Sequence, residues 1–267
     1  MIEDKFTICT SFNHRLFKDP HQIAYKSLPK IFKNSKFYVY HENSFDSKVD
    51  NISIDFSDKS DNVILYDLYE KFPWLENYLK TSHFSKLSNH SNYWIRNSEY
   101  WFRKVVSLVD FIMTANETEY GIWFDCDSTV IKPFDQRFLN QLSNNDWCCI
   151  FREEWGVTIE TGFQVFKLND DRVKNFCLKY LEYYTSGDVF KNEKQYADNF
   201  VLESCFKKFD HDLKLGRLLT NNFDIYEYIK HFKRPLGLVR ERKRLIEKKN
   251  EFYLKNNKLF NKSIINI

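Results

Sequence analysis

Asp125 and Asp127 stand one residue apart at the end of an apolar run, Gly121-Ile122-Trp123-Phe124, and their types and spacing could do chemistry. Residues two apart on a strand share one face, so both carboxylates are expected to reach a single hard cation. Such a cation neutralises a diphosphate or a phosphoryl group. The chemistry open to the pair is therefore phosphate chemistry, with the acids as metal ligands or as reacting groups.

Elements that could position such a pair can be read on either side of it. Lys5 to Phe12 (KFTICTSF) reads as a buried strand, the segment after Pro20 (HQIAYKSLPKIF) as a helix, and KFYVYHEN from Lys36 as the next strand. This β-α-β order predicts a parallel pair with a right-handed crossover. In open α/β sheets ligands gather outside the carboxyl ends of strands, which makes Thr10, Ser11 and Asn13 a candidate ligand edge. With six glycines in the whole chain, there is no glycine-rich phosphate loop.

From Asp46 to His90 the pattern weakens, and aromatic stretches such as LYDLYEKFPWLENYL read as helical. Glu99 to Met113 is a stronger helix, with Trp101, Val105, Leu108 and Ile112 on one face and Arg103 and Lys104 near its start. After the GIWFDCD strand, Lys132-Pro133-Phe134 turns the chain away. Asp146 to about Ile150 reads as a strand with the polar exit Arg152, Glu153, Glu154 and Trp155, and Glu160 to Leu168 as another. Asn169 and Asp170 can cap the helix that follows, and a further helix from Gln195 carries Asp198 in its opening turn.

Taken in this order, the first strand, the Arg103 helix, FDCDSTVIKPF, ETGFQVF and QYADNFVLE resemble the nucleotide-sugar glycosyltransferases of the GT-A fold. The pattern is similar to that of the retaining galactosyltransferase and glycogenin-like enzymes and their viral or bacterial relatives. The resemblance runs from about Thr7 to Gly237. It implies an α/β fold with a Rossmann-like mixed central sheet flanked by helices. It also implies a domain over 1–235, with a nucleotide-binding half to about 134 and an acceptor half after it, followed by a basic helical tail over 236–267.

By that resemblance Asp125 and Asp127 hold Mn2+ or Mg2+ on the diphosphate of a UDP- or GDP-sugar, and His231 completes the metal site. Arg234 stands where the family has a glycine after that histidine. Thr10, Ser11, Asn13, Arg103, Lys104, Asp125 and Lys233 become donor-binding candidates. Asp198 and Glu160 become the catalytic candidates at the donor sugar and the acceptor, a glycan or other hydroxyl compound. Glycosyl transfer builds negative charge on the leaving diphosphate, so a fixed cation there lowers the barrier selectively.

A rival resemblance is to phosphatases of the haloacid dehalogenase type, whose motif FDCDSTV matches letter by letter. Asp125 would then be the nucleophile, and Asp170-Asp171 the later acid pair. Against it, a β-α-β unit precedes a motif that opens the domain in those enzymes. A third possibility is a non-catalytic binding module acting through KRPLGLVRERKRLIEKK.

Composition narrows the remaining classes. The formal net charge is +3 despite 40 basic residues, so no global basic surface points to specific nucleic-acid binding. The basic tail would support at most a weak peripheral membrane contact. Six scattered cysteines without zinc spacing, no signal-peptide pattern and no run of about 18 apolar residues lead to the expectation of a reduced, cytoplasmic setting.

Overall fold

The computed structural model describes residues 2–12, 22–42, 56, 57, 59–152, 158–209 and 212–231. Its strands are β1 (Phe6–Phe12), β2 (Phe37–His41), β3 (Val63–Asp67), β4 (Tyr120–Phe124), β5 (Ser128–Val130), β6 (Trp147–Arg152), β7 (Thr158–Lys167), β8 (Leu215–Arg217) and β9 (Ile229–His231). The helices are α1 (Ile23–Ile31), α2 (Leu68–Lys71), α3 (Pro73–Thr81), α4 (Tyr93–Arg96), α5 (Ser98–Thr114), α6 (Gln136–Leu142), α7 (Asp171–Thr185), α8 (Asp188–Asn192) and α9 (Asp198–Phe209).

Seven strands form one mixed sheet in the order β3-β2-β1-β4-β7-β6-β8, and β5 pairs with β9 in a separate two-stranded sheet. The expected α/β class with helices flanking a mixed central sheet is what the chain adopts. β1 is parallel to both β2 and β4, as the β-α-β reading required, and β3 is parallel to β2. The carboxyl ends of β1 to β4 therefore lie along one edge. β7 enters beside β4 in the opposite sense, pairing Phe124 with Phe163 and Tyr120 with Lys167.

Alternation along these strands builds a core on each face of the sheet. Cys9, Tyr38, Tyr40 and Trp123 pack with the apolar stripes of α5, α7 and α9, including Val105, Leu108, Phe176 and Leu202. Ile8, Val39, Ile122 and Phe124 pack with α1 and α6 through Ala24, Leu28, Phe138 and Leu142. Each large apolar side chain withdrawn from water in this way contributes about 1.5–3 kcal/mol.

Of the helical expectation for 46–90, residues 46–55 and 58 lie outside the described residues and α2 and α3 bear it out, but Val63–Asp67 is a strand. Its run Val-Ile-Leu-Tyr is short and continuously apolar, a pattern that periodicity does not separate from buried helix. Asp67 then ends the strand and starts α2, its carboxylate accepting from the Tyr69 and Glu70 amides.

Candidate active site at the carboxyl edge of the sheet

β4 brings its acids to the edge through close packing. Gly121 lies opposite Phe166, and a Cβ there would come within 2.5 Å of the Phe166 ring, so the two strands meet only because position 121 has no side chain. After Phe124 the chain leaves the sheet. The Ser128 amide donates to the Asp125 carbonyl at 2.9 Å, closing a turn over Asp125-Cys126-Asp127 that leads into β5. Asp125 and Asp127 thus flank Cys126 in a turn rather than sharing the face of an extended strand, which corrects that expectation. Asp127 is wholly buried, whereas the Asp125 side chain is 27% exposed.

The neighbouring strand is shaped to meet this turn. Across β6 and β7 the register shifts: Cys149 faces Gln164, but Ile150 faces Glu160, leaving Thr161, Gly162 and Phe163 as a bulge. A bulge frees backbone groups from the ladder and re-aims them. Here the Gly162 carbonyl accepts from the Asp125 amide at 2.8 Å. The Thr161 carbonyl accepts from Lys104 Nζ at 3.0 Å.

Lys104 is the centre of the arrangement. Its ammonium, on a side chain only 11% exposed, lies 2.7 Å from Asp125 Oδ1 and 2.9 Å from Asp198 Oδ2. Burial works against its charge, but the two carboxylates outweigh that penalty and hold its pKa above the ordinary lysine value. Trp123 Nε1 donates to the same Asp125 oxygen at 3.1 Å, and Lys104 lies 5.5 Å from the centre of the Trp123 ring. Asp198, the first residue of α9, is buried, and its carbonyl accepts from Tyr180. One cation therefore gathers β4, α5, the β7 bulge and α9.

Arg103, adjacent in sequence, serves a different contact. Its guanidinium lies 2.6 Å from Glu42 Oε2, 2.9 Å from the Tyr69 hydroxyl and 3.4 Å from Glu99 Oε1. These partners follow β2 and belong to α2 and α5, so Arg103 locks the helix to the sheet and is not part of the Lys104 cluster. Successive residues on a helix point about 100° apart, which is how two neighbouring cations acquire separate tasks.

The remaining candidates fall into three groups. Thr10 and Ser11 close β1 beside β4, with Cys9 opposite Trp123, and the buried Thr10 hydroxyl has no hydrogen-bond partner among the described residues. Glu160 on β7 accepts from the Tyr226 hydroxyl at 2.9 Å. His231 ends β9 directly opposite Ser128, which brings its backbone beside the acidic turn. Asn13, Lys233, Arg234, Glu153, Trp155 and the 236–267 tail lie outside the described residues.

Sequence reading missed Tyr226, Trp123 as a donor and Thr161 as Lys104's acceptor. The glycine inside a strand pattern at position 162 was the available signal for the bulge.

The acid pair expected for phosphatase chemistry is not at this edge. β7 ends opposite Tyr120, the first residue of β4, and Asp170 just beyond it caps α7 and pairs with Arg172. That places Asp170 near the amino end of β4, at the opposite end of the strand from Asp125.

Two of the three candidate ligands, Asp125 and Asp127, are carboxylates, a donor type that suits a hard divalent cation. Among the described residues no group of three or more His, Cys, Asp or Glu side chains gathers closely enough to hold a metal ion. Any cation at this turn would lean on Asp125 and Asp127, with Asp125 Oδ1 already engaged by Lys104. No described helix is long and apolar enough to cross a membrane.

No protein-family model and no curated protein matches this sequence. Solved structures do align with the chain. Mouse xyloside xylosyltransferase 1 is similar at 12% identity over 81% of this chain and 86% of that one, with a TM-score of 0.45. The glycosyltransferase GlyE of Streptococcus pneumoniae aligns at 13% identity over 81% of this chain and 46% of its own length, with a TM-score of 0.48. A 4-diphosphocytidyl-2C-methyl-D-erythritol synthase from Anaerococcus prevotii aligns at 10% identity, covering 81% and 88%, with a TM-score of 0.42. Glycosyltransferases are among the structures this chain is similar to. At such identities the likeness concerns the course of the chain and not its chemistry.

Proposed function

We propose that the protein is a metal-dependent glycosyltransferase, moving a sugar from a nucleoside-diphosphate sugar to a glycan or other hydroxyl acceptor. The observation that carries this reading is the convergence of Asp125, Asp198 and Thr161 on Lys104 at the carboxyl edge of β4, beside the buried Asp127. Such an edge is where α/β sheets take phosphate-bearing ligands.

In this reading Asp125 and Asp127 hold Mn2+ or Mg2+, and the ion when bound offsets the charge of the departing diphosphate. Asp198, held by Lys104, orients donor-sugar hydroxyls. Glu160, held by Tyr226, orients or deprotonates the acceptor hydroxyl. Thr10 and Ser11 border the donor from β1. Retention of anomeric configuration follows from the sequence resemblance, and product NMR tests it.

The direct test is a panel of UDP- and GDP-sugars with Mn2+. Nucleoside diphosphate release is expected, and Asp127→Asn should lower it sharply. Hydrolysis of phosphate monoesters without sugar-nucleotide binding would overturn the reading in favour of a phosphatase.

A further inference from the structure

Lys104 has the geometry of an internal cation that occupies a metal ligand. Its ammonium has three N–H donors, and four oxygens from three residues surround it: Asp125 Oδ1 at 2.7 Å, Asp198 Oδ2 at 2.9 Å, the Thr161 carbonyl at 3.0 Å and the Thr161 hydroxyl at 3.3 Å. The shortest contact is to the acid assigned to the cation. A lysine 11% exposed and held on three sides is not a solvated surface charge drifting past a carboxylate. A divalent ion drawing on Asp125 would therefore meet a fixed positive charge already seated on one of its oxygens, in a partly dry site where like charges repel strongly.

From this geometry we infer that Lys104 competes with the divalent cation for Asp125, so that metal binding to the free protein is weakened. The inference rests on the reading that Asp125 and Asp127 hold the cation. When Asp125 turns to the cation, Asp198 and the Thr161 carbonyl and hydroxyl still hold the ammonium. The released N–H is then available to an oxygen of the incoming diphosphate sugar, whose negative charge also removes the repulsion between lysine and metal. Metal and donor thus bind in a mutually dependent way, and the site discriminates against metal alone. Trp123 donates to the same Asp125 oxygen, so its fluorescence reports the exchange.

The experiment titrates Mn2+ alone into the full chain, without nucleotide, and reads binding by calorimetry and by loss of the free-ion EPR signal. Lys104→Gln should bind Mn2+ about tenfold tighter than the wild type or better, because a fixed like charge is gone. Lys104→Arg, which keeps the charge and can grip a carboxylate with two N–H groups, should bind no tighter than the wild type. Equal or weaker binding by Lys104→Gln overturns the inference, as does tighter binding by Lys104→Arg.

Should Lys104→Gln not fold in the absence of metal, melting across a Mn2+ series replaces the titration. A larger Mn2+-dependent rise in Tm than in the wild type is then expected, and an equal or smaller rise overturns the inference. The double variant Lys104→Gln/Asp127→Asn separates the two levels. Loss of Mn2+ binding there supports both, whereas undiminished binding overturns the metal reading of the acid pair together with the inference. If the wild type releases nucleoside diphosphate from a sugar nucleotide while Lys104→Gln gains no affinity for Mn2+, the inference alone falls.

Discussion

The Asp125 amide donates to the Gly162 carbonyl at 2.8 Å, joining the acidic turn after β4 to the bulge in β7. This bond joins the two segments, although Asp125 and Gly162 are 37 residues apart in the chain. The bulge exists because Thr161, Gly162 and Phe163 drop out of the pairing with β6. Its Thr161 carbonyl then fixes Lys104, which fixes Asp125 and Asp198. A backbone irregularity in one strand thus sets the spacing of two carboxylates on other elements.

Asp127 is wholly buried between β4 and β5, where an asparagine fits the same volume without the charge. If Asp127 holds the proposed cation, Asp127→Asn should lower nucleoside diphosphate release by about a hundredfold or more. Near-normal turnover with Mn2+ would remove Asp127 from the metal site. Circular dichroism and melting of the variant check that the fold survives.

Arg103 and Lys104 should respond differently to substitution. Arg103→Met deprives the buried Glu42 carboxylate of its 2.6 Å partner, and breaking such a pair costs about 3–5 kcal/mol. Urea denaturation should show that loss, with KM for the donor little changed in whatever fraction remains folded. A selective rise in donor KM at unchanged stability would instead return Arg103 to the donor site.

Sequence reading reached the acidic pair because its signal is local, an apolar run that ends in two acids. Asp198 and Glu160 became candidates only through the family resemblance, which matched a helix-opening acid and the Glu160-Thr161-Gly162 string. Sequence reading could not separate Arg103 from Lys104: both are long cations near the start of one helix, and only the tertiary partners Glu42 and Asp125 divide them. β3 escaped because its apolar residues run continuously, as in a buried helix, and its terminal Asp67 is also a helix cap. Tyr226 carried no local signal at all, since its meaning comes from Glu160, 66 residues away.

His41 offers a pH test at the same edge of the sheet. Burial pushes its imidazole below the ordinary 6.5, outweighing the opposing pull of Asp67, whose Oδ2 is 3.6 Å from Nδ1. The folded pKa is thus lower than the unfolded one, so the unfolded chain takes up the proton first. Stability should be intact above the unfolded pKa and should fall as pH drops through the folded pKa. Denaturation midpoints measured between about pH 7.5 and pH 5.5 should decline, and His41→Gln should flatten that decline. An equally steep profile in His41→Gln would assign the effect to other groups.

Tyr226→Phe isolates the hydrogen bond to Glu160 without changing the ring. Tyr226 lies in the short 3-10 turn that precedes β9, and Glu160 lies on β7 just before the bulge. The bond therefore ties Glu160 to the segment leading into the strand that pairs with β5. Removing the hydroxyl leaves Glu160 in place but less well oriented, a loss worth about 0.5–1.5 kcal/mol. If Glu160 handles the acceptor hydroxyl, kcat should fall about three- to tenfold, with the donor KM unchanged. A variant that only melts earlier, with the same kcat, would show that this tyrosine does no more than fasten the turn to the sheet.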